Sequence, residues 1–287
     1  MSPLPPDASP HWTRPAEGLD VLALRTPTLP PATRTNTSLC GQRDVWIVDP
    51  ATPHEADRGL LLATIDALVR EGRRPMGIVL THHHVDHVGG AAWLRDRLGL
   101  AIWAHPETAR LLGDALEVDH GAVEDDIFPG SHARDDRWHV LFTPGHAPGH
   151  ICLYEPVRRL LVAGDMVASV GTIVIAPPEG HMATYLAQLA RLEALGASLL
   201  VPAHGDVIAE ASERLRFTRL HRLEREEKVA AALDAAPREL MEITRAAYTD
   251  VPAALHRLAS ASARAHLDKL VDDGVARALT DDRWALA

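Results

Sequence analysis

Cysteine is scarce in this sequence: two thiols, Cys40 and Cys152, in 287 residues. Both sit among apolar neighbours and read as buried, so a disulfide framework is not implied and a reducing cytoplasm is the expected setting. Long apolar runs are lacking too. None approaches the roughly 20 residues of a membrane helix, and the stretch Met1 to Pro15 has no apolar core of the kind a signal peptide carries. Positive charge is also short. The net charge of −10 argues against broad nucleic-acid binding through clustered Lys and Arg, while leaving room for a local basic groove. No internal repeat or long low-complexity tract is visible. What is present is ample for one large core, or one domain and a small appendage, with 46% hydrophobic residues.

The most informative run is Thr81 to Gly89, T-H-H-H-V-D-H-V-G, directly after the apolar Met76-Gly77-Ile78-Val79-Leu80. Neutral imidazole and carboxylate are the groups that bind zinc-like ions at neutral pH. Alternate residues of an extended segment face the same way. His82, His84 and Asp86 can therefore share a face, with His87 arriving from the adjacent turn and His83 pointing away. Three further motifs follow apolar strands in the same manner. Thr143-Pro144-Gly145-His146 follows Trp138 to Phe142, Gly164-Asp165 follows Arg159 to Ala163, and Ala203-His204-Gly205 follows Ser198 to Pro202. Loops gathered at one sheet edge bring distant positions to one point.

The pattern H-x-H-x-D-H, with the three later motifs in order, resembles the signature of the metallo-β-lactamase superfamily. The resemblance implies two divalent metal ions, expected to be zinc, with manganese or iron as alternatives. One would take His82, His84 and His146. The other would take Asp86, His87 and His204, and Asp165 would bridge them. Two ions about 3.5 Å apart would share a bridging hydroxide near pH 7 and polarise the substrate oxygen, with Asp86 also orienting that hydroxide. His150 is the competitor of His146. It opens the next strand and lies deeper along it, so it is assigned a supporting role. His11, His54, His132, His139, His221, His256 and His266 read as surface or packing residues, and His181 as an ordinary loop histidine.

Strand-like runs at Leu19 to Arg25, Asn36 to Cys40 and Val45 to Asp49 precede a helix-spaced segment, Ala56 to Arg70. Further helices are expected at Gly90 to Leu98 and Met182 to Leu195, and an irregular edge region at Glu117 to Arg137. The order suggests an α/β chain with two sheets packed face to face and helices outside, the four-layer αβ/βα sandwich that the resemblance implies. Beyond Glu210 strand-like runs give way to a long charged helix, Glu210 to Asp234. Shorter helices are expected at Arg238 to Tyr248, Pro252 to Leu258 and Ser262 to Asp273, with a hairpin around Thr280-Asp281-Asp282. Helices closed by a hairpin read as a winged helix. The expected division is a flexible segment 1–18, a metallo-β-lactamase domain 19–209, and a linker helix and winged-helix domain 210–287.

A metal domain followed by such a tail, with Gly171-Thr172-Ile173-Val174 and Pro177-Pro178-Glu179-Gly180 ahead of a helix, is similar to the β-lactamase-like protein 2 family. That family includes an endoribonuclease selective for single-stranded RNA. The resemblance therefore implies a metal-dependent hydrolase of phosphodiesters in single-stranded RNA. The alternative is a glyoxalase II-like hydrolase of a small thioester, ester or lactone, with no membrane partner in either case. The tail speaks against duplex reading. From His221 onward it has ten Lys or Arg against twelve acidic residues, and its candidate recognition helix offers only Arg264, His266 and Lys269. Packing on the catalytic domain, a pocket wall or a homodimer contact is the expected role.

Overall fold

The structure, a computed structural model, describes residues 12–131, 136–279 and 282–287. The chain divides into two compact units. One comprises Met1–Phe142, Gly149–Gly171 and Ala197–Ala209, the other Thr143–Pro148, Thr172–Gly196 and Glu210–Ala287. No helix among the described residues is long and apolar enough to cross a membrane.

The first unit opens with β1 (Trp12–Ala16), β2 (Leu19–Arg25), β3 (Arg34–Cys40) and β4 (Asp44–Val48), which pair antiparallel in order. After α1 (Glu55–Arg70) the chain adds β5 (Arg74–Leu80), passes through α2 (Val85–Val88) and α3 (Ala91–Leu98), and adds β6 (Ile102–Ala104). After α4 (Pro106–Leu112) comes β7 (His120–Gly121), and β4 to β7 pair in parallel. A second sheet takes β8 (Ile127–Pro129), β9 (Arg137–Phe142), β10 (Ile151–Glu155), β11 (Leu160–Gly164) and β12 (Leu199–Pro202). Only β11 and β12 run parallel in it.

The period-two alternation of the strands builds two cores at once. In β4, Val45 and Ile47 pack with Leu61, Ile65 and Leu68 of α1, whereas Trp46 and Val48 join Trp138, Val140, Ile151, Leu153 and Val162 of the second sheet. In β5, Ile78 and Leu80 take the helix side and Val79 the inter-sheet side. The two sheets therefore face one another, and the helices cover the outer face of the first.

β1 falls within the stretch expected to be flexible, and the structure corrects that part of the expectation. Its pairing with β2 is pinned by the buried carboxylate of Asp20. This group accepts from Trp12 Nε1 at 3.0 Å, Arg14 Nε at 2.7 Å and the guanidinium of the buried Arg73. Met1 to His11 lie outside the described residues, as do His132 and Thr280-Asp281.

The second unit holds α5 (Met182–Ala194), α6 (Ala211–Ala231), β13 (Arg238–Glu239), α7 (Leu240–Ala247), α8 (His256–Asp272), β14 (Ala276–Leu279) and β15 (Arg283–Leu286). A three-stranded sheet ordered β13-β15-β14 closes a core of Val229, Ile243, Tyr248, Leu267, Leu270 and Trp284. Two expectations are corrected. The helix expected from Arg238 starts at Leu240, because Arg238 and Glu239 pair with Trp284 and Arg283 and because Glu239 and Glu242 form a capping box. The helices expected at Pro252 to Leu258 and Ser262 to Asp273 are one helix, α8, preceded by a 3₁₀ turn at Ala253–Leu255. The intervening Ala259-Ser260-Ala261 contains no helix breaker.

Because Asp20 is fully buried and ion-paired to a buried Arg73, Asp20→Ala leaves a buried cation uncompensated. Denaturant unfolding should show a loss of about 3–5 kcal/mol. A loss below about 1 kcal/mol would show that β1 is not held by this carboxylate.

Candidate metal centre

The chain leaves β5 at Leu80 and turns through Thr81-His82-His83-His84 into α2, with His84 at its N-cap. The following Gly90 passes so close to the preceding loop that a Cβ there would lie 2.3 Å from the Pro50 carbonyl oxygen, and any side chain would push the metal loop outward. His82, His84 and Asp165 each place one donor atom within 4.8 Å of the others. His82 Nε2 and His84 Nδ1 lie 2.9 Å apart. Asp86, His87 and His204 form a second convergent group. His204 Nε2 lies 3.5 Å from Asp86 Oδ2 and 3.3 Å from Asp165 Oδ1, and His87 Nε2 lies 3.6 Å from that same Asp165 oxygen. Asp165 thus stands beside both groups.

Three imidazoles of this set, those of His82, His87 and His204, are aimed through their other nitrogen. His87 Nδ1 meets Asp49 Oδ2 at 2.7 Å, His204 Nδ1 meets the Arg34 carbonyl at 3.0 Å, and His82 Nδ1 meets Thr81 Oγ1 at 3.0 Å. These contacts fix the tautomer and present Nε2 as the donor atom. His146 is treated likewise within the second unit. It lies on the loop that leaves β9 at Phe142 and returns to β10 at Ile151, and its Nδ1 sits 3.0 Å from the Val174 carbonyl.

The donors fit a pair of dications. His87 Nε2 is buried and makes no hydrogen bond among the described residues. Two carboxylates, Asp86 and Asp165, converge on the same imidazole, that of His204, an arrangement that calls for positive charge. Burial works against protonation of His87, but the carboxylates of Asp49 and Asp165 outweigh it and push its pKa well above the ordinary value. A divalent cation at Nε2 would answer the same field with the imidazole neutral.

Other histidines have local partners. His150 is fully buried, and its Nε2 accepts from the Asp165 backbone amide at 3.0 Å, a supporting contact beneath that loop. His181 caps α5 by accepting from Thr184 N at 3.2 Å. His256 donates from Nε2 to the Tyr248 and Val251 carbonyls, and His266 packs, fully buried, against Glu226. His105, not singled out from the sequence, accepts from Glu107 N at 3.2 Å as the cap of α4 and stacks on Phe142 with ring centroids 4.2 Å apart.

Sequence reasoning also missed Asp49 and Asn36. Asp49, at φ 49°, accepts from Thr81 N at 2.8 Å and Thr81 Oγ1 at 2.6 Å while holding His87. Asn36 donates to the Pro202 and Gly205 carbonyls on either side of His204, each at 2.8 Å. The available signal was a polar residue in or directly after a buried strand: Asp49 following Val45-Trp46-Ile47-Val48, and Asn36 within β3.

Comparison with known proteins agrees with this geometry. Residues 30–204 match the metallo-beta-lactamase superfamily and residues 240–284 the beta-lactamase associated winged helix domain. The chain belongs to the metallo-beta-lactamase superfamily and is a metal-dependent hydrolase carrying a C-terminal winged helix. It is 28% identical over 252 residues to a beta-lactamase-like protein 2 homolog of Caenorhabditis elegans, a match covering 84% of this chain and 80% of that protein. It is 39% identical over 132 residues to a hydroxyacylglutathione hydrolase of Rhizobium meliloti (strain 1021), covering 46% of this chain and 48%, about half, of that relative. The fold matches a beta-lactamase domain protein from Burkholderia ambifaria with a TM-score of 0.81 at 23% identity, covering 98% of this chain and 96% of that one. A metallo-beta-lactamase family protein from Thermus thermophilus matches with a TM-score of 0.76 at 24% identity, over 95% of this chain and 99% of that one.

Asp49→Asn keeps a side chain that tolerates a left-handed backbone but removes the anionic partner of His87. Competition titration with a chelator should show metal affinity falling about 10–100-fold at one site, with the fold retained. Unchanged affinity would show that the Asp49 carboxylate does not support the centre through His87.

Proposed function

We propose that the protein is a dinuclear zinc hydrolase of small acyl substrates, thioesters or related esters and lactones. The observation that carries this reading is the fate of the basic side chains. Arg264, His266 and Lys269, the groups the winged helix could have offered to a nucleic acid, are all engaged internally. Arg264 pairs with Asp282 at 2.6 Å, His266 with Glu226 at 3.2 Å, and Lys269 with Glu226 at 2.7 Å and Asp273 at 2.6 Å. Arg225 and Lys228 share Asp250. Phosphate binding draws on cations free to displace counterions, and these are committed elsewhere. The partial match to a hydroxyacylglutathione hydrolase supports the same direction.

In this reading His82, His84 and His146 hold one ion, Asp86, His87 and His204 the other, and Asp165 both. When bound, the ions supply Lewis acidity and lower the pKa of a coordinated water. The chain's own contribution is orientation and proton handling. Asp49, Thr81, Arg34 and Val174 fix the imidazoles so that no ring turns during turnover. Asp86 Oδ2, beside His204, would orient the attacking water and take its proton as the acyl carbon is attacked; the carbon–sulfur or carbon–oxygen bond of the substrate then breaks, and the thiol or alcohol leaves with that proton.

A second reading, hydrolysis of single-stranded RNA, is favoured by the similarity to the beta-lactamase-like protein 2 homolog through both domains. A panel of a glutathione thioester, a lactone and single-stranded RNA separates the two. The zinc-loaded protein should turn over the thioester or lactone, and Asp86→Ala should reduce this by about 10²–10⁴-fold. RNA cleavage that vanishes in Asp86→Ala, without acyl turnover by the wild type, would overturn the acyl assignment.

Elemental analysis should find close to two transition-metal ions per chain. Asp165→Ala should lower occupancy at both sites. Full dinuclear occupancy in that variant would contradict the bridging role.

A further inference from the structure

The segment 173–175 of the second unit is gripped from three directions. The Val174 carbonyl receives His146 Nδ1 at 3.0 Å. One residue before, the Ile173 carbonyl accepts from the guanidinium of Arg222 on α6, a side chain only 3% exposed that also lies over the Tyr185 ring. One residue after, the Ile175 amide donates to Ser262 Oγ on α8 at 3.3 Å. Ile173 and Ile175 are themselves buried. The peptide that aims His146 is therefore held by one helix through its preceding carbonyl and by another through its following amide.

The other side of the His146 loop is equally constrained. Gly145, at φ 130°, passes so close to α5 that a Cβ would lie 2.5 Å from the Tyr185 backbone. Its carbonyl accepts from His181 N at 2.8 Å, and His181 in turn caps α5. His146 thus has its backbone seated on α5 and its ring nitrogen on a carbonyl locked between α6 and α8.

We infer that Arg222 and Ser262 are positioning residues for the metal site: through the 173–175 segment they set the Val174 carbonyl and hence the direction of His146 Nε2. The inference rests on His146 being a ligand, as proposed above. Arg222, buried and bonded to a backbone carbonyl, is also not presented to a nucleic-acid phosphate. A guanidinium suits this task because its charge strengthens the bond to a carbonyl in a dry setting, while its stem packs on an aromatic face.

The test is cobalt(II) titration of the full chain, read by the visible d–d absorption of the two sites, with thermal unfolding of the metal-free protein measured alongside. His146→Ala should weaken one site. Arg222→Gln should weaken that same site by about tenfold, the lower end of what partners behind a ligand are worth. Ser262→Ala should act in the same direction to a smaller extent, and both should leave the other site unchanged. Neither change should weaken cobalt binding further in the His146→Ala background. Unchanged affinity in the folded variants, equal losses at both sites, or equal losses with and without His146 would each overturn the inference. If Arg222→Gln fails to fold, Ser262→Ala decides alone. If His146→Ala itself leaves both sites intact, the ligand assignment fails, and that outcome is distinct from failure of the positioning role.

Discussion

The arrangement depends on one repeated constraint: four imidazoles of the candidate ligand set are gripped at Nδ1. His87 is held by a carboxylate, His204 and His146 by backbone carbonyls, and His82 by a hydroxyl. A side chain with two free torsions would otherwise offer either nitrogen in several directions. Fixing one nitrogen chooses the tautomer and the direction together. Most of the groups that do the fixing stand well apart in sequence from their histidines: Asp49 from His87, Arg34 from His204, Val174 from His146. The centre is therefore a product of tertiary structure even though most of its donors lie in short motifs.

Asp49 shows how one group can serve two purposes. Its carboxylate ties the start of the metal loop through Thr81 N and Oγ1 and orients His87. Its backbone amide donates to the Val79 carbonyl at 3.0 Å, and its carbonyl accepts from Thr37 Oγ1 at 2.7 Å, so the residue is locked on both sides. A buried carboxylate is costly unless it accepts several hydrogen bonds, and Thr81 and His87 together supply them. His150, just ahead of β10, plays a comparable part, accepting from the Asp165 amide and so fixing the loop that places that carboxylate.

Much of this was legible in the sequence because the fold follows simple periodicities. Apolar runs at Leu19 to Arg25, Ile78 to Leu80 and Val140 to Phe142 become strands at those positions, and the ligand candidates His82 and His146 lie just beyond the last two. The supporting groups were not legible. Asp49, just past the end of β4, and Asn36, within β3, are ordinary polar residues, and a backbone carbonyl such as that of Val174 leaves no trace in residue identity. The C-terminal helices were misdivided because Ala and Ser between Leu258 and Ser262 neither favour nor forbid a break. The start of α7 was displaced because Arg238 and Glu239 are claimed by a strand partner at the far end of the tail, Trp284 and Arg283 lying opposite them. The meaning of the tail's basic residues also needed three dimensions: Arg222 and Arg225 look like surface cations in a charged helix but are buried and spent on carbonyl oxygens.

The central claim is that a preset imidazole geometry holds two metal ions. A crystal structure of the zinc-loaded protein, with anomalous difference maps at the zinc edge, tests it most directly. The account predicts two ions, with Nε2 of His82, His87, His146 and His204 and Nδ1 of His84 as nitrogen ligands and Asp165 between the ions. A single ion, coordination through Nδ1 of His87 or His204, or His150 in place of His146 would contradict it.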